Sequence, residues 1–430
     1  MNTSALFTDL YELTMAQAYA AEHMGQVAVF ELAFRKMPAN RNYIVAAGIG
    51  DVLDFLSTFR FHDQELDYLR QRGEFSEAFL RLLKDLRFTG DVYALPEGTL
   101  VFPNEPIVQV IAPVMEAQLM ETFVLNQVHF QSLAVAKAAR VVEAAKGRGV
   151  VDFGSRRAHG TDAAIKVARA AYLAGGAGTS NVLAGQIYGI PVFGTMAHSY
   201  VQAHESESAS FDAFARLYPE TTLLVDTYDT LEGVRKVIHL SQKLGQQFRV
   251  RAVRLDSGDL GALAKETRKM LDDAGLRHVT IFASSSLDEY EIRRLVNTGA
   301  PIDTFGVGTK LAVMEDASHL DMAYKLVEYA GKGRLKLSTS KVLYPGRKQV
   351  FRQVENGRMV GDAIGRFDEQ LPGEPLLQPL MRQGVPTTRI DLEVSRQCCQ
   401  RELERLPDHL RKLDPSPAPY MVSFSECLQK

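Results

Sequence analysis

Within residues 152–204 the chain places Arg156 with Arg157, the loop Gly178-Thr179-Ser180-Asn181 and His198 in three successive loops, each beside a short apolar run. Arginine offers a rigid fork of donors that matches phosphate and carboxylate oxygens. Small loop residues let backbone N–H groups come close to an anion. A histidine among them can carry a proton or accept a phosphoryl group. The combination predicts a site for a phosphorylated small molecule.

The pattern continues downstream. Asp226 with Thr227, Arg254 with Asp256-Ser257-Gly258-Asp259, Ser284-Ser285-Ser286, and Gly306-Val307-Gly308-Thr309-Lys310 all follow apolar runs. Taken singly, each has an ordinary structural reading. The arginine pair can be a solvated pair, and Gly308-Thr309 part of a left-handed turn. The aspartates at 256 and 259 can be a turn and a helix cap. The serines can start a helix, and His198 can be a satisfied structural histidine. Taken together, the segments fall on one rim. There Asp226 can orient the His198 ring by accepting an imidazole hydrogen bond. Asp256 and Asp259 put two carboxylates at the mouth, suited to Mg2+ or to ribose hydroxyls.

Loops of this kind need strands that end together. Short β-prone runs at 150–153, 191–193, 222–225, 250–253, 279–282 and 302–305 alternate with Ala- and Leu-rich stretches. Residues 230–244 and 262–274 carry helical apolar spacing, and Ser286-Leu287-Asp288-Glu289 reads as a capping box. The alternation predicts a parallel α/β barrel whose ligand site lies at the C-terminal ends of its strands. Further barrel strands are expected near Ala177 and at 324–329. Upstream, 8–22 reads as a helix, 27–34 as a strand, and 90–112 as strands joined by tight turns at Pro96, Gly98, Pro103 and Pro106. Residues 115–145 read as one long helix or two. Downstream, 336–342, 348–354 and 358–361 read as strands, with Asn356-Gly357 as a hairpin turn. The expected organisation is an α+β domain made from both termini, 1–125 with 336–430, and a barrel over 126–335. Residues 396–430 read as a peripheral helix and a loose tail.

The chain of 430 residues, 46% apolar and 23% charged, has ample material for a core. Its net charge of −3, with both signs interspersed, gives no support to a nucleic-acid or anionic-membrane surface. No apolar run approaches the ~20 residues of a bilayer span. The opening MNTSALFTDLYELTM has no secretory pattern. Cys398, Cys399 and Cys427 offer neither a zinc pattern nor an even disulfide set. Reduced thiols in a cytoplasmic protein, with no structural metal, are expected.

The ordered set TDLYELTMAQAYA (8–20), DFGSRRAHG (152–160), GGAGTSNVLAG (175–185), GTMAHSYV (194–201), VRLDSGDL (253–260), FGVGTKL (305–311) and YPGRKQVFR (344–352) resembles the nicotinate phosphoribosyltransferases. The resemblance runs from residue 8 to about 352 and fades after 365. It implies the type II phosphoribosyltransferase fold: an irregular (β/α) barrel plus an α+β domain built from both chain ends, assembled at least as a homodimer with shared active sites. It also implies a reaction. Nicotinate attacks C1 of 5-phosphoribosyl-1-pyrophosphate to give nicotinate mononucleotide and pyrophosphate, with ATP hydrolysis coupled through a phosphohistidine.

On the same resemblance His198 matches the phosphorylated histidine, and Asp226 its acidic partner. Arg254 and Asp256 match residues around ribose and pyridine. Gly308 and Thr309 match the ribose 5-phosphate loop, with Ser284 and Ser285 nearby. Phe153 and the partner subunit's Tyr11 match the aromatic pair that sandwiches the pyridine. Arg156, Arg157 and Mg2+ suit the leaving pyrophosphate, the metal being held largely by that group rather than by a protein cage. Ser180 stands where nicotinamide-using relatives carry an aspartate, which would repel a carboxylate; serine implies nicotinate. The rival readings are a nicotinamide- or quinolinate-using enzyme of the same superfamily, and a non-catalytic nucleotide-binding regulator on the same barrel. His198, Asp226 and the arginine pair stand against the regulator.

Overall fold

The computed structural model describes residues 3–336 and 344–429. The chain divides into two compact units, Met1–Leu133 with Ala317–Lys430, and Ala134–Asp316. In the first, VAVFELAF forms the strand Val27–Phe34, buried along nearly its whole length. It pairs antiparallel with Met322–Tyr329 on one edge and Pro106–Pro113 on the other, in a seven-stranded sheet that continues through Asp91–Ala94 and Gln378–Arg382. The run at 324–329 is therefore not a barrel strand. Its backbone groups are engaged by Val27–Phe34, with Tyr324 opposite Leu32. The division falls after residues 133 and 316, not after 125 and 335. The strand expected at 336–342 lies, beyond its first residue, outside the described residues.

Lys348–Glu355 and Arg358–Arg366 form a hairpin in which Asn356 and Gly357 both take positive φ, 50° and 76°. This is the type I′ geometry that suits strand twist. Val422–Phe424 then pairs in parallel with Asp362, Ala363 and Ile364. The C-terminal segment is thus stitched into a sheet, where a loose tail was expected. Arg352, fully buried, donates to Asp362 from Nε and Nη2 (3.1 and 2.7 Å), to the Leu100 carbonyl (2.8 Å) and to Glu402. The Tyr420 hydroxyl also donates to Asp362, at 2.8 Å. Burial, with the Asp362 charge second, pushes the neighbouring Glu105 carboxyl well above the usual range.

The second unit contains a parallel sheet in the order Gly178–Thr179, Gly149–Asp152, Thr304–Val307, Thr280–Ser284, Ala252–Leu255, Thr222–Leu224. The strands are short and alternate with helices, giving an irregular (β/α) barrel. Among the described strands, ladder bonds do not close the ring from Thr222–Leu224 to Gly178–Thr179. The run expected as a strand at 191–193 contributes one bridge, Val192 to Thr179. Thr230–Leu244 is helical as its spacing predicts. Asp229 caps it, and Val234, Val237 and Leu240 form its buried stripe. The helix expected from a box at 286–289 begins later, at Glu289, because Asp288 is the residue that accepts from the free N–H groups of Tyr290 and Glu291. Among the described residues no helix is long and apolar enough to cross a membrane.

Candidate active site

Arg254 is the hub of the barrel mouth. In Ala252–Leu255 its neighbours Val253 and Leu255 are buried, and strand alternation sends Arg254 to the other face. Its Nε donates to Ser284 Oγ (2.8 Å) and Nη1 to Thr195 Oγ1 (3.0 Å), while Nη2 sits 3.0 Å from Asp256 Oδ1. The guanidinium lies over the Phe153 ring, 5.4 Å from its centroid. Ser284 in turn donates to Asp256 at 2.5 Å. The side chain is only 12% exposed, so these contacts act with little screening.

Asp256 links this hub to the histidine. Its Oδ2 is 3.7 Å from His198 Nε2, and the other ring nitrogen, Nδ1, is 3.2 Å from Thr227 Oγ1. The ring is 42% exposed, so it is open to a reactant. Asp226 was expected as its acidic partner, but the two ring nitrogens face Thr227 and Asp256. Asp226 is engaged by the next strand's loop instead: its Oδ2 accepts from the Asp256 N–H (3.2 Å) and from the Ser257 hydroxyl (2.5 Å). Its Oδ1 is buried without a hydrogen-bond partner among the described residues. Asp259, read as a second mouth carboxylate, caps the helix Leu260–Asp273 through Gly261 and Ala262.

Asp152 holds two loops from below. Its carboxylate accepts from the Gly154 N–H (2.8 Å) and the Thr179 hydroxyl (2.7 Å), and its carbonyl accepts from the Ser180 N–H (2.8 Å). Burial pushes the carboxyl above its ordinary range, against the lowering effect of both donors. Thr179, expected among the ligand-binding residues, is fully buried and acts as this internal strut. Ser180 is half-buried beside it. Phe153 stacks on Phe282 with centroids 5.4 Å apart. Both rings lie over Gly306, where an added Cβ would come within 2.8 Å of each, so no larger residue fits. Arg156 and Arg157 follow in a short turn, both exposed.

On the far side, Gly308 opens the turn Thr309–Val313 and approaches Phe153, whose carbonyl lies 3.2 Å from where its Cβ would be. Thr309 is exposed. Ser285 and Ser286 have positive φ, 96° and 49°. With Gly258, Asp259, Asp288 and Lys310 they line a cavity of about 590 Å³. Lys310 pairs with Asp288 at 2.7 Å. Burial alone would raise Asp288, but Lys310 and the Glu291 N–H outweigh it and hold the carboxyl below the usual range.

The mouth thus brings Phe153, Arg254, Asp256, Ser284 and His198 into one chain of contacts. Tyr11 belongs to the other unit, half-exposed on the helix Leu10–Ala21. Asp152, Thr195, Thr227 and Ser257 all lie in the loops that the sequence places on the rim, although it gives them no particular role. Phe282, inside an apolar run, carries no such signal. Among the described residues, no three His, Cys, Asp or Glu side chains cluster as a metal site.

Residues 6–129, 149–341 and 371–430 match, in turn, the N-terminal domain, the family and the C-terminal domain of nicotinate phosphoribosyltransferase (NAPRTase). A nicotinate phosphoribosyltransferase of Mycobacterium tuberculosis is 61% identical, over 99% of this chain and 92% of its own length. One from Bacillus subtilis is 43% identical, over 87% of this chain and 78% of its own. The crystal structure of human nicotinic acid phosphoribosyltransferase aligns with a TM-score of 0.88 at 31% identity, covering 98% of both chains. The match over 371–430 corrects the expectation that the likeness ends near 365.

Proposed function

The chain belongs to the nicotinate phosphoribosyltransferase family, and from that premise we propose that it transfers the phosphoribosyl group of 5-phosphoribosyl-1-pyrophosphate to nicotinate, a step of NAD salvage. The observation that carries this reading is the chain of contacts from the Phe153 face through Arg254 and Asp256 to the open imidazole of His198. Phe153 offers a face for a flat, electron-poor ring. Arg254, fixed by Ser284, Thr195 and Asp256, has further N–H groups for a carboxylate. Cleavage at C1 builds positive charge on the ribose, which Asp256 stabilises, and negative charge on the leaving pyrophosphate, which the exposed Arg156 and Arg157 receive.

His198 is the group for ATP coupling. Its half-exposed ring attacks the γ-phosphorus of ATP, ADP leaves, and the phosphoryl group is later lost to water. The charge it adds next to Asp256 favours one order of substrate binding or release. The donor set also fits a loosely held Mg2+. Asp226 has a buried oxygen without a hydrogen-bond partner among the described residues, and Asp256 stands next to it. Asp226 and Asp256 would hold the ion together with pyrophosphate oxygens, and the ion supplies charge neutralisation for the leaving group. The three free thiols suit a cytoplasmic enzyme. The exposed apolar residues Val182, Leu183, Ile187, Val192 and Phe193 suit a homodimer with shared sites, Tyr11 coming from the partner subunit.

The test is an assay of nicotinate or nicotinamide with phosphoribosyl pyrophosphate, with and without ATP. Nicotinate mononucleotide should form, faster with ATP. Acid-labile label from γ-labelled ATP should appear on the parent and not on His198→Ala. ATP stimulation that survives in His198→Ala refutes the coupling.

A further inference from the structure

Directly after Ser284, Ser285 and Ser286 adopt φ values of 96° and 49°. Any residue with a Cβ resists that region, and two such residues in a row are rarer still. Backbone of this kind persists only where its surroundings over-determine it. The surroundings here are specific. Leu287 is buried, and Asp288 caps the helix Glu289–Asn297 while pairing with Lys310. Glu289 is fully buried and accepts from Lys137 Nζ (2.6 Å) and Arg140 Nε (3.0 Å). Arg140 also donates to the Tyr290 hydroxyl at 3.0 Å, and Lys137 sits 2.9 Å from Asp316. Lys137 and Arg140 are themselves buried. Buried charges paired this closely hold their positions tightly, because parting them strands a charge out of water. No step of the proposed reaction uses any of these three side chains.

We propose that Glu289 is a positioning residue. Its buried ion cluster with Lys137 and Arg140 holds the Ser285-Ser286 turn in its left-handed form. That turn fixes Ser284 against Arg254 and Asp256, the contacts the proposed reaction uses, and it shapes the wall of the 590 Å³ cavity that Ser285 and Ser286 line. The kinetic part of this inference rests on the proposed function; the conformational part does not.

Glu289→Gln keeps the shape and removes the charge. Its KM for phosphoribosyl pyrophosphate should rise about tenfold or more while kcat changes less than about threefold. Hydrogen exchange of the ligand-free protein should speed up at 284–288, with the Thr280–Ser284 strand itself unchanged up to Ala283. Ser286→Gly, added to Glu289→Gln, should recover about threefold or more of the lost KM, because glycine holds positive φ without an anchor. If Glu289→Gln does not fold, Arg140→Lys, which keeps the charge and loses the fork, should give the same changes in smaller degree. A folded variant with a lowered Tm but parental KM and parental exchange at 284–288 overturns the proposal. A parent without transferase activity refutes the proposed function, and the exchange comparison still decides the anchor.

Discussion

Two arginines in this molecule are both paired with acid and ring, yet they differ in how far their surroundings close over them. Arg352 and Arg254 each pair with a carboxylate and have an aromatic ring near the guanidinium, Phe102 at 5.8 Å and Phe153 at 5.4 Å. Arg352 is completely enclosed, with two carboxylates and a carbonyl around it. Arg254 is tied by hydroxyls and one carboxylate, its ring neighbour is half-exposed, and its acid touches an open histidine. The difference shows how one forked cation acts as a structural rivet when every neighbour is internal, and stays open to a ligand when part of its shell is left free.

Four measurements sharpen or break that contrast. Arg352→Met leaves Asp362 and Glu402 buried without their cation, and should cost about 3–5 kcal/mol in a denaturant titration while the folded fraction keeps its kcat/KM. Arg254→Lys should do the reverse, lowering kcat/KM by ~100-fold with little change in Tm, since an ammonium cannot reach all three partners. If both variants lose only stability, or both only activity, the contrast fails. Ser180→Asp adds charge at the open mouth and should raise KM for nicotinate about tenfold with stability nearly unchanged.

The smallest effect is expected at Glu12, a sealed carboxyl with hydroxyl partners, Thr8 and Thr122, in place of a cation. Burial pushes it up to about 7, despite the lowering effect of those donors. Its folded pKa lies above its unfolded value near 4.5, so its stabilising contribution is complete below pH 4.5 and lost as pH rises through 7. Glu12→Gln should flatten the fall in stability between those values, by on the order of 1 kcal/mol, measured as Tm against pH. A parent whose Tm rises with pH across that window contradicts the assignment.

Local pattern made much of this legible. The strand Val27–Phe34 and the helix Thr230–Leu244 follow from apolar runs and spacing, and the mouth loops from polar residues placed after apolar ones. What stayed hidden was partnership across the chain. Nothing near residue 324 indicates that its backbone pairs with residue 32. Nothing near Asp226 indicates that Ser257 claims it and leaves Thr227 to the histidine. Thr179 and Asp259 read as polar loop residues facing a ligand, yet Thr179 lies in a strand and both oxygens serve the scaffold, one through a buried aspartate and the other through a helix end. The likeness at 371–430 escaped because this segment is held by scattered pairings, such as Val422–Phe424 on Arg358–Arg366, rather than by a motif.

The pairing of Val27–Phe34 with Met322–Tyr329, and of Asp362–Ile364 with Val422–Phe424, sets an order of events on the ribosome. The strand Val27–Phe34 must wait through nearly three hundred residues of synthesis for Met322–Tyr329, and Asp362–Ile364 must wait in turn for Val422–Phe424. The unit from Ala134 to Asp316 is contiguous and can collapse while the rest is still being translated. A nascent chain cut short before Met322 would therefore carry the contiguous unit complete and the strand Val27–Phe34 without one of its partners.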